Sequence, residues 1–239
     1  MGTRERRQRE VAEREKRFVD RARELIRVEG LLNLQMSRVA DGCDYAVGTL
    51  YQHFSSKEDL LLAVTTETAR EHVDLFRRVA SWNANTRDRM FAIGVADMIF
   101  VQRNPDYFST VQYALCEVVW GAASQERRDE FLEVNQPITQ LVIGIVDDAV
   151  AKGDLQLVGF TPQQLTVGLW ALCLGMHNLV HAEGVLRDFD INQPYRAMCR
   201  HMQYMLNGFG WKPLSDPADE AATERLIQRI KSEVFHDLA

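Results

Sequence analysis

The chain has 239 residues, of which 46% are hydrophobic and 26% charged, with 14 Gly and 6 Pro. This composition excludes disordered and collagen-like chains and is typical of a globular protein with one large domain or two modest ones. Four cysteines without a C-x-x-C pair predict neither a disulfide framework nor a zinc ribbon, so we expect reduced thiols in a cytoplasmic protein: Cys43, Cys116, Cys173 and Cys199.

Neither a secretory signal nor a membrane span is expected. The first 17 residues hold seven Arg or Lys and four Glu, and no apolar stretch follows them. A long segment without charged residues, 155–182, is interrupted by Gln, Asn and His, and its uniformly apolar part, 167–176, is too short to cross a bilayer. We therefore expect no membrane partner.

Charge is distributed unevenly along the chain. Residues 1–57 hold 12 basic and 9 acidic side chains, whereas the remaining 182 residues hold 16 and 25. A basic head joined to an acidic body indicates that the head is the part that meets a polyanion.

Apolar spacing predicts three helices near the N-terminus. Phe18, Ala22, Leu25 and Ile26 follow a helical period, and Gly30 lies just past the end of that helix. Two short helices are predicted over residues 36–41 and 46–54, separated by the turn-like residues 42–44.

A long fourth helix is predicted from Lys57 to Ala80. It is preceded by two overlapping capping boxes, which pair Ser55 with Glu58 and Ser56 with Asp59. Further helical stretches follow, up to a last one over residues 219–238, and no run of strand alternation is found. The predicted fold class is therefore all-α.

Two short helices joined by a tight turn, behind a longer helix and a basic arm, are typical of a helix-turn-helix DNA reader. The second short helix begins with small side chains that suit close approach to base edges, and the residues after them offer donors to phosphate oxygens. The predicted DNA-binding residues are Ser37, Arg38, Val47, Gly48, Thr49, Tyr51, His53 and Lys57.

The string GTLYQHFSSKEDL at residues 48–60 closely resembles the DNA-binding signature of the TetR family of one-component bacterial repressors. The similarity covers roughly residues 14–65. It implies a three-helix DNA-binding domain over residues 1–57 and a larger helical domain for effector binding and dimerisation over residues 58–239. The chain departs from the family pattern at Cys43-Asp44 in the turn, at Ala46, where a capping Ser is common, and at Val47, where Lys is frequent.

The resemblance implies a homodimer that binds a palindromic operator on double-stranded DNA and is released by a small effector. Its dimer interface is expected in the helix over residues 161–182, which would pair with the helix over 194–206. The alternative is a DNA-binding dimer without an effector, controlled by a protein partner at the last helix. A helical enzyme is disfavoured because no catalytic constellation is found, and no cofactor is expected.

Two helical stripes are candidates for the effector site. A ligand-binding wall needs apolar surface with a few polar anchors, and these stripes predict a lipophilic ligand, although ordinary core packing is the competing interpretation. The candidate residues are Phe91, Val95, Met98, Tyr113, Glu117 and Trp120. A metal site is not expected at Cys173, His177 and His181, because one straight helix spaces them about 6 Å per step and they cannot close around one ion.

Overall fold

The structure, a computed structural model, describes residues 3–182 and 184–238, and this part of the chain is helical without strands. The predicted all-α fold is confirmed. Two short 3-10 helices, Leu31–Asn33 and Arg187–Phe189, accompany the following α-helices: α1 (Thr3–Glu29), α2 (Met36–Asp41), α3 (Val47–Tyr51), α4 (Lys57–Ser81), α5 (Thr86–Arg103), α6 (Pro105–Ala114), α7 (Glu117–Ala122), α8 (Gln125–Lys152), α9 (Pro162–His181), α10 (Pro194–Gly208) and α11 (Glu220–Val234).

The helices form two compact units. The first unit runs to Arg70 and resumes over Asn104–Asn135, and the second contains Glu71–Arg103 and the chain from Gln136 onward. Both α4 and α8 therefore pass from one unit into the other. The domain boundary at residue 57 stays a prediction. No described helix is both long and apolar enough to span a bilayer.

The first three helices pack around one apolar core. The predicted stripe on α1 is buried, with Phe18 and Ala22 fully enclosed. Val39 from α2, Leu50 from α3 and Phe54 after it join the same cluster. Burial of one large side chain contributes about 1.5–3 kcal/mol. Since five-residue α3 is too short to be stable alone, this core fixes its orientation.

The turn between α2 and α3 accommodates the departures from the TetR pattern. Asp44 has a φ of 61°, a left-handed conformation that Asp tolerates better than most residues. Cys43 is buried, and its Sγ lies 3.5 Å from the carbonyl oxygen of Arg17 on α1. Ala46 is the N-cap of α3 and supplies no side-chain hydrogen bond. The helix therefore depends on packing rather than capping.

A buried arginine organises the second unit. The guanidinium of Arg87 on α5 donates to the carbonyl oxygen of Trp211 at 2.6 Å, to Oε1 of Gln203 at 2.7 Å and to Oγ of Ser215 at 2.8 Å. Burial lowers the pKa of Arg87 to about 10, so the group is protonated at neutral pH. It joins α5 to α10 and to the segment that follows α10.

A second polar cluster lies further along α5. Oδ2 of Asp97 lies 2.8 Å from Nε2 of His177 on α9, and Oδ1 lies 2.9 Å from Nε2 of His72 on α4, the latter contact being poorly aligned for a hydrogen bond. Nδ1 of His177 lies 3.4 Å from the hydroxyl of Tyr195, and the His72 ring stacks on Phe100. Burial alone would raise the pKa of Asp97, but the contacts with the two imidazoles outweigh it and hold that pKa well below its usual range.

Candidate DNA interface

The outer side of α3 presents the small residues Gly48 and Thr49 together with Val47 and Tyr51. Val47 and Tyr51 are 40% and 51% exposed, Gly48 is exposed and Thr49 is half-buried, whereas Leu50 is buried in the core. A Cβ added at Gly48 would meet no atom of this chain within 4 Å. Packing within the chain therefore does not demand glycine there, and the open space suits close approach of a base edge.

Neighbouring elements add polar groups. Ser37 and Arg38 on α2 are both exposed, and Nη1 of Arg38 forms an ion pair with Oε2 of Glu29. Ion pairs at exposed sites are weak, so a phosphate oxygen can compete with Glu29 for this guanidinium. Lys57, the first residue of α4, is half-buried.

His53 differs from the other predicted DNA-binding residues. Its side chain is 6% exposed and packs edge-on against Phe18, with 5.6 Å between ring centres. Nδ1 of His53 lies 3.7 Å from Oε2 of Glu15 on α1. The structure therefore places the ring inside the domain, away from the exposed surface formed by the other predicted residues on α2 and α3.

The N-terminus of α4 is capped through the predicted Ser56 and Asp59 pair. Oγ of Ser56 accepts the amide hydrogen of Asp59 at 3.0 Å, while Oδ2 of Asp59 accepts from the amide and the hydroxyl of Ser55 at 3.1 and 2.6 Å. Burial opposes ionisation of Asp59, but hydrogen bonds from Ser55 and Ser124 lower its pKa below the ordinary value. The cap thus fixes the chain between α3 and α4.

The basic arm belongs to α1, which begins at Thr3. Residues 4–13 are exposed along the helix, and Arg6 forms an exposed ion pair with Glu10 at 2.9 Å. The guanidinium groups of Arg14 and Arg17 lie 5.3 and 5.6 Å from the ring centre of Tyr45, which follows the turn after α2. These cation–π contacts tie the arm to the helix-turn-helix segment.

Sequence reasoning missed the role of α8 in the first unit. Nη2 of Arg127 on α8 lies 2.6 Å from Oε1 of Glu15 and donates to the carbonyl oxygen of His53 at 3.2 Å. Its guanidinium also lies over the Phe54 ring, 4.8 Å from the centre. Arg127 is more than 70 positions from the helix-turn-helix segment, and no local sequence pattern connects the two.

The candidate effector residues are divided between the two units. Phe91, Val95 and Met98 on α5 are buried in the second unit. In the first unit, Tyr113 packs against the core of the first three helices, Glu117 is exposed, and Trp120 packs on Phe131 with 5.7 Å between ring centres. The proposed wall formed by these six residues stays a prediction.

Two clefts in the second unit are large enough for a small ligand. One, of about 410 Å³, is lined by Phe160, Leu165, Phe209 and Lys212 among others. The other, of about 580 Å³, lies between α10 and α11 beside Arg196. Neither is lined by the candidate effector residues. Among the described residues, no three His, Cys, Asp or Glu side chains are placed to hold a metal ion.

Comparison with known families agrees with the placement of these DNA-binding elements. Residues 18–64 match the family model described as bacterial regulatory proteins, tetR family. The chain carries a tetR-family DNA-binding domain. The resemblance identified from residues 48–60 is thereby confirmed for this DNA-binding domain. No curated protein sequence matches the chain.

Solved structures of transcriptional regulators share the fold of this chain. A TetR/AcrR-family transcriptional regulator from Thermobifida fusca is 21% identical with a TM-score of 0.56, and the alignment covers 82% of this chain and 98% of the Thermobifida chain. PfmR from Thermus thermophilus is 15% identical with a TM-score of 0.59, covering 80% and 97%. FadR from Bacillus subtilis in complex with stearoyl-CoA is 16% identical with a TM-score of 0.61, covering 81% and 98%.

Proposed function

We propose that this regulator is a repressor that binds a palindromic operator as a homodimer and is released by a small lipophilic effector. The observation that carries the proposal is the outer surface of α3. Gly48 leaves open space there, Val47 and Tyr51 are exposed on either side of it, and Leu50 anchors the helix to a closed core. This arrangement presents a rigid recognition helix whose small residues can reach base edges.

A homodimer carries two recognition helices, one for each half-site of a palindromic operator. Two-fold symmetry pairs two such helices about one helical turn of DNA apart, which is why a dimer reads a palindrome. The outer face of α9 supports dimerisation because Val167 and Trp170 are 55% and 60% exposed and Ala171 lies beside them. We propose that a second copy of the chain covers this apolar face, together with the adjacent α10.

Operator selection tests the DNA-binding proposal. Gly48→Ala is expected to stabilise the fold by about 0.5–1 kcal/mol, because alanine favours a helix over glycine and the added Cβ meets no clash. The same methyl group is expected to weaken binding to the selected operator by about tenfold, the cost of one poor base contact. Operators are selected from a random pool, and affinities are measured by gel shift over a salt series.

Two further variants separate base reading from phosphate binding. Tyr51→Phe is expected to weaken all duplexes similarly, whereas Thr49→Ala is expected to alter the preference at one base position. Specific and scrambled duplexes that bind the wild type equally at moderate salt would refute the repressor proposal. An unchanged affinity and preference in Thr49→Ala would show that the recognition face is assigned wrongly.

The effector proposal rests on the six candidate residues and on one structural neighbour. FadR of Bacillus subtilis was solved with stearoyl-CoA, a ligand with a long aliphatic chain. In this chain, the α5 stripe offers an apolar surface that includes the flexible side chain of Met98. Glu117 is exposed and close in sequence to Trp120, and a carboxylate beside an aromatic ring favours a cationic group on the ligand. Release requires that the effector bind more tightly to the form whose recognition helices do not fit the operator.

Ligand titration tests this effector site. Compounds that stabilise the purified protein in a thermal-shift screen are titrated calorimetrically into wild type, Trp120→Ala and Glu117→Gln, with and without operator. We expect at least about tenfold weaker binding in Trp120→Ala, because a large aromatic contact is lost, and weaker binding when operator is present. Unchanged affinity in both variants would exclude this site, and a screen without stabilising ligands would favour control by a protein partner.

A further inference from the structure

The first turn of α8 holds the end of the recognition helix. Nη2 of Arg127 donates to the carbonyl oxygen of His53, two residues after α3, and pairs with Glu15 on α1. The guanidinium covers Phe54, which is fully buried in the core that orients α3. One side chain of α8 therefore contacts both the helix before the helix-turn-helix motif and the residues immediately after it.

The Arg127 side chain is itself held firmly. It is 12% exposed, and Nη1 pairs with Glu130 one turn along α8 at 2.7 Å. Burial would lower its pKa, but the nearby carboxylates of Glu15 and Glu130 raise it overall, so the charge is maintained. A buried guanidinium with charge-assisted bonds to two carboxylates has a well-defined position.

A second connection runs in parallel with the first. The amide of Ser124, just before α8, donates to Oδ1 of Asp59 at 2.7 Å, and Oδ2 of the same carboxylate accepts from Ser55. Arg128 fixes the approach to α8 by donating to the carbonyl oxygens of Ala123 and Trp120 at 2.7 and 3.1 Å. The start of α8 thus contacts the chain on both sides of residue 54.

We infer that Arg127 is a positioning residue for operator binding: it sets the orientation of α3 from α8 without touching DNA. The inference rests on the proposed function and specifies how operator binding is regulated. Since α8 continues beyond Asn135 into the second unit, its backbone joins that unit to Arg127, and the hydrogen bond and ion pair of Arg127 reach the residues around α3. Effector binding that shifts the first turn of α8 would therefore move the end of α3.

Operator binding by charge-matched variants tests this inference. Arg127→Gln is expected to weaken binding to the selected operator by about tenfold, the range for a residue that couples sites without contacting ligand. Affinity for random DNA and the salt dependence should stay unchanged, because no phosphate contact is lost. Arg77→Gln removes the same charge from an exposed position on α4 in the second unit, where Nη1 of Arg77 pairs with Asp74 at 2.6 Å, so its operator affinity should match the wild type. Arg127→Lys should restore part of the loss.

Amide hydrogen exchange at residues 47–55, measured without DNA, provides an independent readout. We expect exchange there to be faster by about tenfold in Arg127→Gln and unchanged in Arg77→Gln. Unchanged exchange and operator affinity in Arg127→Gln would overturn the inference. It would also be overturned if the affinities for operator and for random DNA fell equally, in proportion to the fraction of the variant that is unfolded. A wild type that selects no operator would refute the proposed function, while exchange would still decide whether Arg127 orders α3.

Discussion

Replacing Asp97 by alanine is expected to lower the free energy of unfolding by roughly 3–5 kcal/mol. The carboxylate contacts His72 and His177 from two different helices, and its removal takes this ionic contact away from the buried His177 and the half-buried His72 and opens a small cavity. Urea unfolding of wild type and variant at pH 7 measures the loss. A change below about 1 kcal/mol would show that the cluster contributes little to stability.

Asp97→Asn separates the charge of this cluster from its shape. The pKa of Asp97 is depressed in the folded chain, so its contribution to stability is present above the unfolded value of about 4 and is lost as pH falls below it. The groups that face Asp97 are His72, His177, Tyr195 and the thiol of Cys173. We expect the difference in unfolding free energy between wild type and Asp97→Asn to shrink between about pH 5 and pH 3. A constant difference over that range would contradict the assignment.

Trp170→Glu is expected to convert the proposed homodimer into a monomer and to weaken operator binding by about 100-fold or more. A charge placed on the exposed α9 face must be desolvated when a second copy packs against it, and a monomer loses the advantage of two linked half-sites. Light scattering after size exclusion, over a range of concentrations, measures the mass. Gel shift with the selected palindrome measures binding.

Leu132→Glu is the matched control for this substitution. Leu132 lies on α8 in the first unit and is 55% exposed, close to the 60% of Trp170, so it introduces the same charge at a comparably exposed apolar position. We expect it to remain dimeric. A dimeric Trp170→Glu protein with normal operator affinity would place the dimer interface elsewhere.

The local elements could be predicted from the sequence because their signals are short-range. Residues 36–41 were identified as a helix from apolar spacing alone, and α2 has the same bounds. The start of α4 at Lys57 follows from the Ser56 cap, and Gly30 marks the end of α1. The beginning of α1 was less clear, because residues 3–16 are polar apart from Val11 and Ala12 and show no apolar period.

The candidate recognition surface could be proposed from the sequence for a related reason. Its exposed residues belong to one continuous string, and small side chains at Gly48 and Thr49 have a direct meaning on a helix that approaches DNA. His53 lies in the same string, yet burial of its ring against Phe18 depends on how α1 packs on α3. The orientation of a side chain at the end of a helix cannot be predicted from its position in the sequence.

By itself, the sequence determined the helical class, several helix ends and the tetR-like string, since each depends on residues a few positions apart. Tertiary structure alone decided which distant groups meet. Arg127 reaches His53 and Glu15, and Asp97 is enclosed by His72 and His177, over separations of 25 to more than 100 residues. Such pairs produce no periodic pattern in the sequence, because burial and charge pairing depend on the distance between groups in space and not on their separation along the chain.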